Sequence, residues 1–199
     1  MASSGKRISR INRQTKETQV SLSLDIDGRG QADIQTGVPF MDHMLTLLTV
    51  HGFFDLTINA TGDTEIDDHH TVEDIGICLG RAFNDALDNF KCISRYGQCL
   101  LPMDETLAQV ALDFSNRPHL HLQTPVLDQK VGSFDTQLVR EFLRAFSLHG
   151  GITLHIQVDY GDNTHHILEA IFKGLGRSLD QATMIESRTS GPLSSKGTL

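Results

Sequence analysis

The stretch Asp68-His69-His70-Thr71-Val72-Glu73-Asp74 returns 96 residues later as Thr164-His165-His166-Ile167-Leu168-Glu169-Ala170. Eight of the twenty positions in 68–87 are identical in 164–183, and they include the His-His pair and the Glu. Each copy continues into the apolar pattern of an amphipathic helix. The recurrence indicates that the chain consists of two related halves.

Two further alignments extend the repeat. The segment ETQVSLSLDI, which starts at Glu17, resembles ETLAQVALDF, which starts at Glu105, and 42–58 resembles 140–156. Each half has strands beside helices without strict alternation, which predicts an α+β fold. We expect each half to be a mainly antiparallel sheet of about four strands with two helices packed on one face. The expected division is a flexible arm at 1–7, repeats at 8–92 and 93–186, and a tail at 187–199.

Hydrophobic periodicity places the elements of the first half. An alternating pattern predicts a strand around 20–24, and Asp27-Gly28-Arg29-Gly30 is a hairpin signal that leads into a short strand at 31–35. Apolar residues at helical spacing predict a helix over 40–50. A strand at 54–60 and a helix at 69–89 complete the half.

The repeated motif favours a metal site. On a helix, either histidine of the first pair can share a face with Glu73, but two adjacent histidines project about 100° apart. Two ions, or an ion shared with another part of an assembly, therefore account better for both histidines. Imidazole and carboxylate donors suit Mn, Fe, Zn or Ni. One copy of such a motif is a common surface pattern, whereas its recurrence at equivalent places is not.

The repeat also indicates a third kind of ligand. His43 aligns with Glu141, so each half offers one donor from its first helix and His-His-Glu from its second. Eight donors divide well between two octahedral ions that keep positions open for a substrate. The predicted ligands are His43, His69, His70, Glu73, Glu141, His165, His166 and Glu169.

The other five histidines are interpreted as structural. His51 and His149 recur in a His-Gly that ends a helix, where a cationic side chain is favourable. His119, His121 and His155 lie on predicted strands and have no repeat equivalent.

Composition narrows the class of protein. A net charge of −8 without a basic stripe argues against nucleic-acid binding. No apolar run approaches the roughly 20 residues that a membrane span needs, and no secretion signal is evident. Three widely spaced cysteines fit a reduced cytoplasm and offer no thiolate metal site.

The motifs together resemble those of the imidazoleglycerol-phosphate dehydratases over nearly the full length. Besides both His-His motifs they include Thr15–Thr18, Phe40–Leu45, Gly62-Asp63, Arg95-Tyr96-Gly97, Met103-Asp104-Glu105, the segment 113–118 and Ser194-Ser195-Lys196-Gly197. The resemblance implies two Mn²⁺ per subunit, a duplicated α+β fold, and active sites at the subunit interfaces of a homo-oligomer of 24 chains. Where this chain has Glu141, many members of that family have His, and a carboxylate can replace imidazole on Mn²⁺.

The implied reaction converts D-erythro-imidazole glycerol phosphate to imidazole acetol phosphate and water in histidine biosynthesis. An ion on each ring nitrogen would stabilise imidazolate, which expels hydroxide through a diazafulvene-like intermediate. The resemblance assigns proton transfer to Glu17. It assigns phosphate binding to Arg95, Arg117, Ser195 and Lys196, with the tail folded over the substrate. The alternatives are a dinuclear phosphate-ester hydrolase and a non-enzymatic, metal-dependent assembly protein.

Overall fold

The computed structural model describes residues 6–199, so most of the expected N-terminal arm lies outside the described part. The first half contains β1 (Ile8–Gln14), β2 (Thr18–Asp25), β3 (Ala32–Gln35), α1 (Pro39–Gly52), β4 (Asp55–Gly62) and α2 (His69–Ala86). The second half contains β5 (Tyr96–Met103), β6 (Thr106–Phe114), β7 (His119–Gln123), β8 (Lys130–Val131), β9 (Phe134–Asp135), α3 (Leu138–Gly150), β10 (Ile152–Tyr160) and α4 (Thr164–Thr183). The predicted order of strands and helices is therefore confirmed.

Both halves form a four-stranded, mainly antiparallel sheet. The strand orders are β1-β2-β4-β3 and β5-β6-β10-β7, and in each sheet only the last pair is parallel. The second half adds a short antiparallel pair, β8 and β9, before α3. The same order and the same parallel edge in both sheets agree with the predicted duplication.

The predicted hairpin at Asp27–Gly30 is wrong. The strand that follows it, β3, does not pair with β2 but lies parallel to β4 at the far edge of the sheet. The connecting loop is fixed at the start of β4 instead, since Oδ1 of Asp55 accepts hydrogen bonds from the backbone N–H groups of Arg29 and Gln31. The tight turn comes earlier, between β1 and β2, where the N–H of Thr15 donates to the carbonyl of Thr18.

The four helices lie between the two sheets. Alternate residues of β2 (Val20, Leu22 and Leu24) are buried under the helices of the first half, which is the period-2 pattern of a half-buried strand. The halves then pack on each other crosswise, because α1 contacts α4 and α2 contacts α3. None of the helices in the described part of the chain is both long enough and apolar enough to cross a membrane.

Two repeated glycines allow this crosswise packing. A Cβ atom on Gly176 of α4 would lie 2.4 Å from the carbonyl oxygen of Leu48 in α1. A Cβ atom on Gly80, the repeat equivalent in α2, would lie 2.6 Å from the carbonyl oxygen of Phe146 in α3. Only glycine fits at such distances, so these positions bring the first helix of one half close to the second helix of the other.

A buried ion pair holds the start of α2 against its sheet. The carboxylate of Asp74 is almost fully buried, and its Oδ1 lies 2.9 Å from Nε of Arg13 in β1. The hydroxyl of Thr18 at the start of β2 donates to the same carboxylate. This clamp places the first His-His pair beside the turn that joins β1 to β2.

Candidate metal centre

Three predicted ligands converge where α1 packs against α4. His43 lies near the start of α1, and His165 and Glu169 lie four residues apart on one face of α4. The Nε2 atoms of His43 and His165 lie 2.8 Å and 3.4 Å from Oε1 of Glu169. One donor atom from each residue lies within 4.8 Å of the other two, so the three can bind one ion together. Two imidazoles and a carboxylate suit the metals that the sequence predicts.

The shared carboxylate of this group is held in its ionised form. Burial alone would raise the pKa of Glu169, but hydrogen bonds from Lys173 and His43 outweigh it and lower the pKa below its ordinary value. Nζ of Lys173 donates to Oε2 of Glu169 at 2.9 Å, which leaves Oε1 directed at the two histidines. The ionised form is the one that binds a cation.

The second histidine of each pair makes a different contact. Nδ1 of His70 lies 3.0 Å from Oδ2 of Asp63, and Nδ1 of His166 lies 2.8 Å from Oε2 of Glu105. These hydrogen bonds raise the pKa of both histidines. The bond with His166 and one from the backbone N–H of Asn163 lower the pKa of Glu105 to about 2. Nε2 of neither ring makes a hydrogen bond within the described residues, and Nε2 of His166 lies 3.9 Å from Oδ2 of Asp104.

The remaining predicted ligands do not form an equivalent group within one chain. His69 and Glu73 lie on α2 and Glu141 on α3, the helix pair related by the repeat to α4 and α1. Within residues 6–199, however, only His43, His165 and Glu169 bring three donors together. Oε2 of Glu141 instead lies 4.0 Å from Nε of Arg144.

Glu17 lies in the turn between β1 and β2. Its side chain lines an open cleft of about 360 Å³ that Asp63 and Glu65 also line. The negative charge of Glu17 contributes to the raised pKa of His70, so the carboxylate lies near the first His-His pair. The turn is fixed by Thr15, whose hydroxyl accepts hydrogen bonds from the N–H groups of Glu17 and Thr18.

The four predicted phosphate ligands line one cavity of about 560 Å³. These residues are Arg95, Arg117, Ser195 and Lys196. Arg95 is buried, and its Nε and Nη2 atoms donate to the carboxylate of Asp113 at 2.6 Å and 2.9 Å. Its Nη1 donates to the carbonyl of Leu193 at 2.5 Å and so attaches the tail to the cavity wall. The other three are more exposed, which leaves their polar groups accessible to a ligand.

The histidines that we interpreted as structural lie outside the donor group. Burial, assisted by neighbouring Arg and Lys charges, lowers the pKa of His51 and of His149. A preference for charged histidine at the helix end therefore does not explain why His-Gly recurs. The glycines at the ends of α1 and α3 are better explained by the close packing of the helices there. His119, His121 and His155 lie side by side on the exposed face of β7 and β10.

Sequence reasoning missed three residues of these surroundings. Lys173 follows Glu169 by four positions, a spacing that predicts a Glu–Lys pair on a helix. Glu105 is the repeat equivalent of Glu17, so the alignment itself pointed to it. Asp63 belongs to the Gly62-Asp63 motif of the family resemblance, but no role was assigned to it from the sequence.

Comparison with known proteins identifies relatives over almost the whole chain. The sequence profile of the imidazoleglycerol-phosphate dehydratase family matches residues 36–179. The imidazoleglycerol-phosphate dehydratase of Syntrophobacter fumaroxidans is 58% identical over 98% of this chain and 99% of its own length. The crystal structure of the Staphylococcus aureus enzyme superposes with a TM-score of 0.81 at 43% identity, covering 89% of this chain and 99% of that one. The Pyrococcus furiosus enzyme superposes with a TM-score of 0.82 at 35% identity, covering 95% of this chain and 100% of that one.

Proposed function

Because this chain belongs to the imidazoleglycerol-phosphate dehydratase family, we propose that it is a manganese-dependent hydro-lyase of histidine biosynthesis. Its substrate is D-erythro-imidazole glycerol phosphate, and its products are imidazole acetol phosphate and water. The observation that carries the proposal is the convergence of His43, His165 and Glu169 from two repeats. A His and Glu donor set at the start of both duplicated helices suits a reaction that must activate an imidazole ring.

The donor set fits two Mn²⁺ per subunit. Imidazole nitrogens and carboxylate oxygens are donors that Mn²⁺ accepts, and eight of them leave open positions on two six-coordinate ions. When bound, the ions supply Lewis-acid stabilisation of negative charge on the substrate's imidazole ring. The proposed metal ligands are the eight residues His43, His69, His70, Glu73, Glu141, His165, His166 and Glu169.

The cavity around the tail binds the phosphate. Arg117 and Lys196 bring positive charge to it, and the hydroxyl of Ser195 adds a hydrogen-bond donor. Charged donors are the strongest partners for a phosphate group. Arg95 forms the floor of the cavity, since its ion pair with Asp113 and its bond to Leu193 fix the wall on which the tail rests.

The distance between the two sites supports an active site built from more than one subunit. The metal ligands lie at the start of α4, whereas the backbone N–H of Arg95 donates to the carbonyl of Ala182 at its end. The sixteen helical steps from His166 to Ala182 span about 24 Å at about 1.5 Å per residue. A glycerol phosphate with one imidazole ring is much shorter than this, so it cannot reach both sites in one chain.

An assembly resolves this mismatch. The family resemblance suggests 24 chains, in which the phosphate cavity of one subunit faces the metal ligands of another. The same arrangement accounts for donors such as His69 and Glu141, which do not join a three-donor group within one chain. The free thiols of Cys78, Cys92 and Cys99 fit the cytoplasmic location that we propose for it.

Glu17 moves the protons. Its carboxylate is near His70 and lines an open cleft, so it is accessible to a substrate held at the first His-His pair. Hydroxide leaves from the carbon attached to the ring, so a carboxylate within reach of the substrate can take the proton from the next carbon along the chain and deliver one to the departing hydroxyl. The ordered turn at Thr15–Thr18 holds it in place.

One assay separates this function from its alternatives. The purified protein is incubated with imidazole glycerol phosphate, with and without Mn²⁺, and both the ketone product and free phosphate are measured. A dehydratase forms imidazole acetol phosphate without releasing phosphate, and only with the metal. A phosphate-ester hydrolase releases phosphate, and a metal-dependent assembly protein leaves the substrate intact, so either result would contradict the proposal.

A further inference from the structure

The two halves hold the second histidine of each pair with carboxylates from different places in the repeat. His166 donates its Nδ1–H to Glu105, which precedes β6, and Glu105 is equivalent to Glu17 before β2. His70 donates instead to Asp63 of the Gly62-Asp63 turn after β4. The equivalent Gly161-Asp162 turn follows β10 in the second half.

The unused equivalents are free of such contacts. In the part of the chain that the structure describes, residues 6–199, the carboxylates of Glu17 and Asp162 accept no side-chain hydrogen bond. Duplication therefore produced two candidate carboxylates for each histidine, and the halves use opposite ones. In the first half this leaves the carboxylate of Glu17 without a hydrogen-bonded histidine, in the cleft that Asp63 also lines.

We infer that Asp63 and Glu105 are positioning residues that fix the His70 and His166 rings in the Nδ1–H tautomer, with Nε2 directed away for metal binding. The same contacts give the two repeats different roles. Asp63 holds His70 so that Glu17 remains available for proton transfer, whereas Glu105 is committed to His166. The inference rests on the proposed function, since it gives a purpose to histidines that we assign to Mn²⁺.

The tautomer matters because imidazole has only one lone pair available when neutral. A carboxylate at Nδ1 requires the hydrogen there and leaves the lone pair on Nε2. Carboxylates that orient ligating histidines in this way typically contribute 10–100-fold to metal affinity. An amide in place of the carboxylate can present N–H to Nδ1, which favours the opposite tautomer and places the hydrogen on Nε2.

The contacts of the two carboxylates differ in a way that helps the test. Oε1 of Glu105 also accepts the backbone N–H of Asn163, whose side chain caps the start of α4. Glu105→Gln keeps an oxygen for that bond, so the cap can persist. The side chain of Asp63 contacts His70 alone among the described residues, and Asp63→Asn therefore alters little besides the histidine.

The experiment measures Mn²⁺ affinity by equilibrium dialysis of the full-length protein, with thermal unfolding of each variant as a folding check. Asp63→Asn and Glu105→Gln should each weaken Mn²⁺ binding by about 10–100-fold. The matched control is the repeat equivalent of Asp63, Asp162→Asn, which should bind Mn²⁺ as the wild type does. If Glu105→Gln loses the α4 cap, Asp63→Asn still decides the question.

The outcomes separate the inference from the function on which it rests. Unchanged Mn²⁺ affinity in folded Asp63→Asn and Glu105→Gln would overturn the inference while leaving the metal site in place. Equal weakening in Asp162→Asn would also overturn it, since the effect would then be a general loss of negative charge. A wild-type protein that binds no Mn²⁺ would instead refute the proposed function.

Discussion

Nε2 of His43 lies 2.8 Å from Oε1 of Glu169, although 126 residues separate them. The contact joins the first helix of one repeat to the second helix of the other, and it exists because α1 packs on α4. The close approach at Gly176 sets the distance between those helices. The candidate metal centre is therefore a product of packing between the halves, and neither half forms it alone.

Metal removal should abolish activity. We expect a chelator to strip about two ions per chain and to stop dehydration, and Mn²⁺ to restore it better than other divalent cations, because the donors are imidazole and carboxylate. Elemental analysis beside the activity assay measures both effects. Full activity in a protein free of transition metals would contradict the assignment.

The repeat made the fold predictable, because corresponding residues of α2 and α4 are identical. Examples are Gly80 with Gly176 and His70 with His166. Local pattern was sufficient for α2 and α4, where apolar residues recur at helical spacing. It failed at β3, since a turn signal such as Asp27-Gly28 says nothing about which strand comes next in the sheet. That choice depends on a contact with Asp55, far away in the sequence.

The candidate site was predictable to the extent that the repeat exposed it. His43 was predicted to be a ligand because its repeat equivalent, Glu141, can also bind metal. The sequence did not predict that His43 meets His165 and Glu169 of the other half, because that depends on the crosswise packing of α1 on α4. The contacts of Glu105 and Asp63 were likewise hidden, since the two halves use carboxylates that are not equivalent.

Glu141 tests the repeat alignment. If it binds metal, Glu141→Ala should lower Mn²⁺ content and activity together, whereas Glu141→His should largely retain both because imidazole is also a donor. Metal content and steady-state rates measure the outcome. Arg144→Ala is the matched control, since it removes the neighbouring charge at 4.0 Å but no donor. Glu141→Ala with full metal and a normal rate would make Glu141 a surface charge.

Acidification should release the metal, because protons compete with it for the imidazole nitrogens. The hydrogen bonds to Asp63 and Glu105 hold the pKa of His70 and His166 above the ordinary value of about 6.5. Protons therefore begin to compete for Nε2 above about pH 6.5, and the competition strengthens as the pH falls. The lowered pKa of Glu169 keeps that carboxylate ionised in this range, so loss of its charge is not the cause.

Mn²⁺ occupancy measured by equilibrium dialysis between about pH 9 and about pH 5 tests this dependence. We expect occupancy to fall as the pH drops through this range. If imidazoles that bridge subunits become protonated, the oligomer should dissociate over the same range, which gel filtration detects. Constant occupancy down to about pH 5 would contradict the prediction.

Two inactive variants should restore each other's activity. A Glu169→Ala chain lacks a metal ligand but keeps its phosphate cavity, and an Arg117→Ala, Lys196→Ala chain has the opposite defect. If one active site takes its metal ligands and its phosphate cavity from different subunits, mixed oligomers contain some sites with both parts intact. We expect co-assembled variants to be active where each alone is not. Activity no greater than the sum of the separate variants would refute a shared site.

Arg95 is unsuitable for that experiment. Its replacement would leave the carboxylate of Asp113 without its ion-pair partner and would release Leu193, so the fold of the cavity would change as well. Arg117 and Lys196 are exposed, and their loss should affect the ligand alone. Lys196→Ala by itself should raise KM, with some loss of kcat because remote binding energy also orients the ring.

The tail also limits where the chain can be cut. Removal of residues 190–199 would break contacts that hold the tail, because Pro192 pairs with Lys91 and the N–H of Cys92 donates to the carbonyl of Gly191. A truncation after Leu193 keeps these bonds and the contact with Arg95. It should preserve the unfolding temperature while raising KM as Lys196→Ala does. Lost stability in this shorter truncation would show that the last six residues also support the fold.

Glu17→Gln separates chemistry from binding. The variant keeps the shape of the side chain and the Thr15–Thr18 turn, because that turn is held by the hydroxyl of Thr15 and not by the carboxylate. It removes the group that moves the proton, so kcat should fall by about 100-fold or more while KM changes little. Steady-state kinetics should therefore show mainly a lower kcat in Glu17→Gln and mainly a higher KM in Lys196→Ala. If Glu17→Gln turned over at the normal rate, Glu17 would not be the acid–base group, and another carboxylate would have to carry the proton.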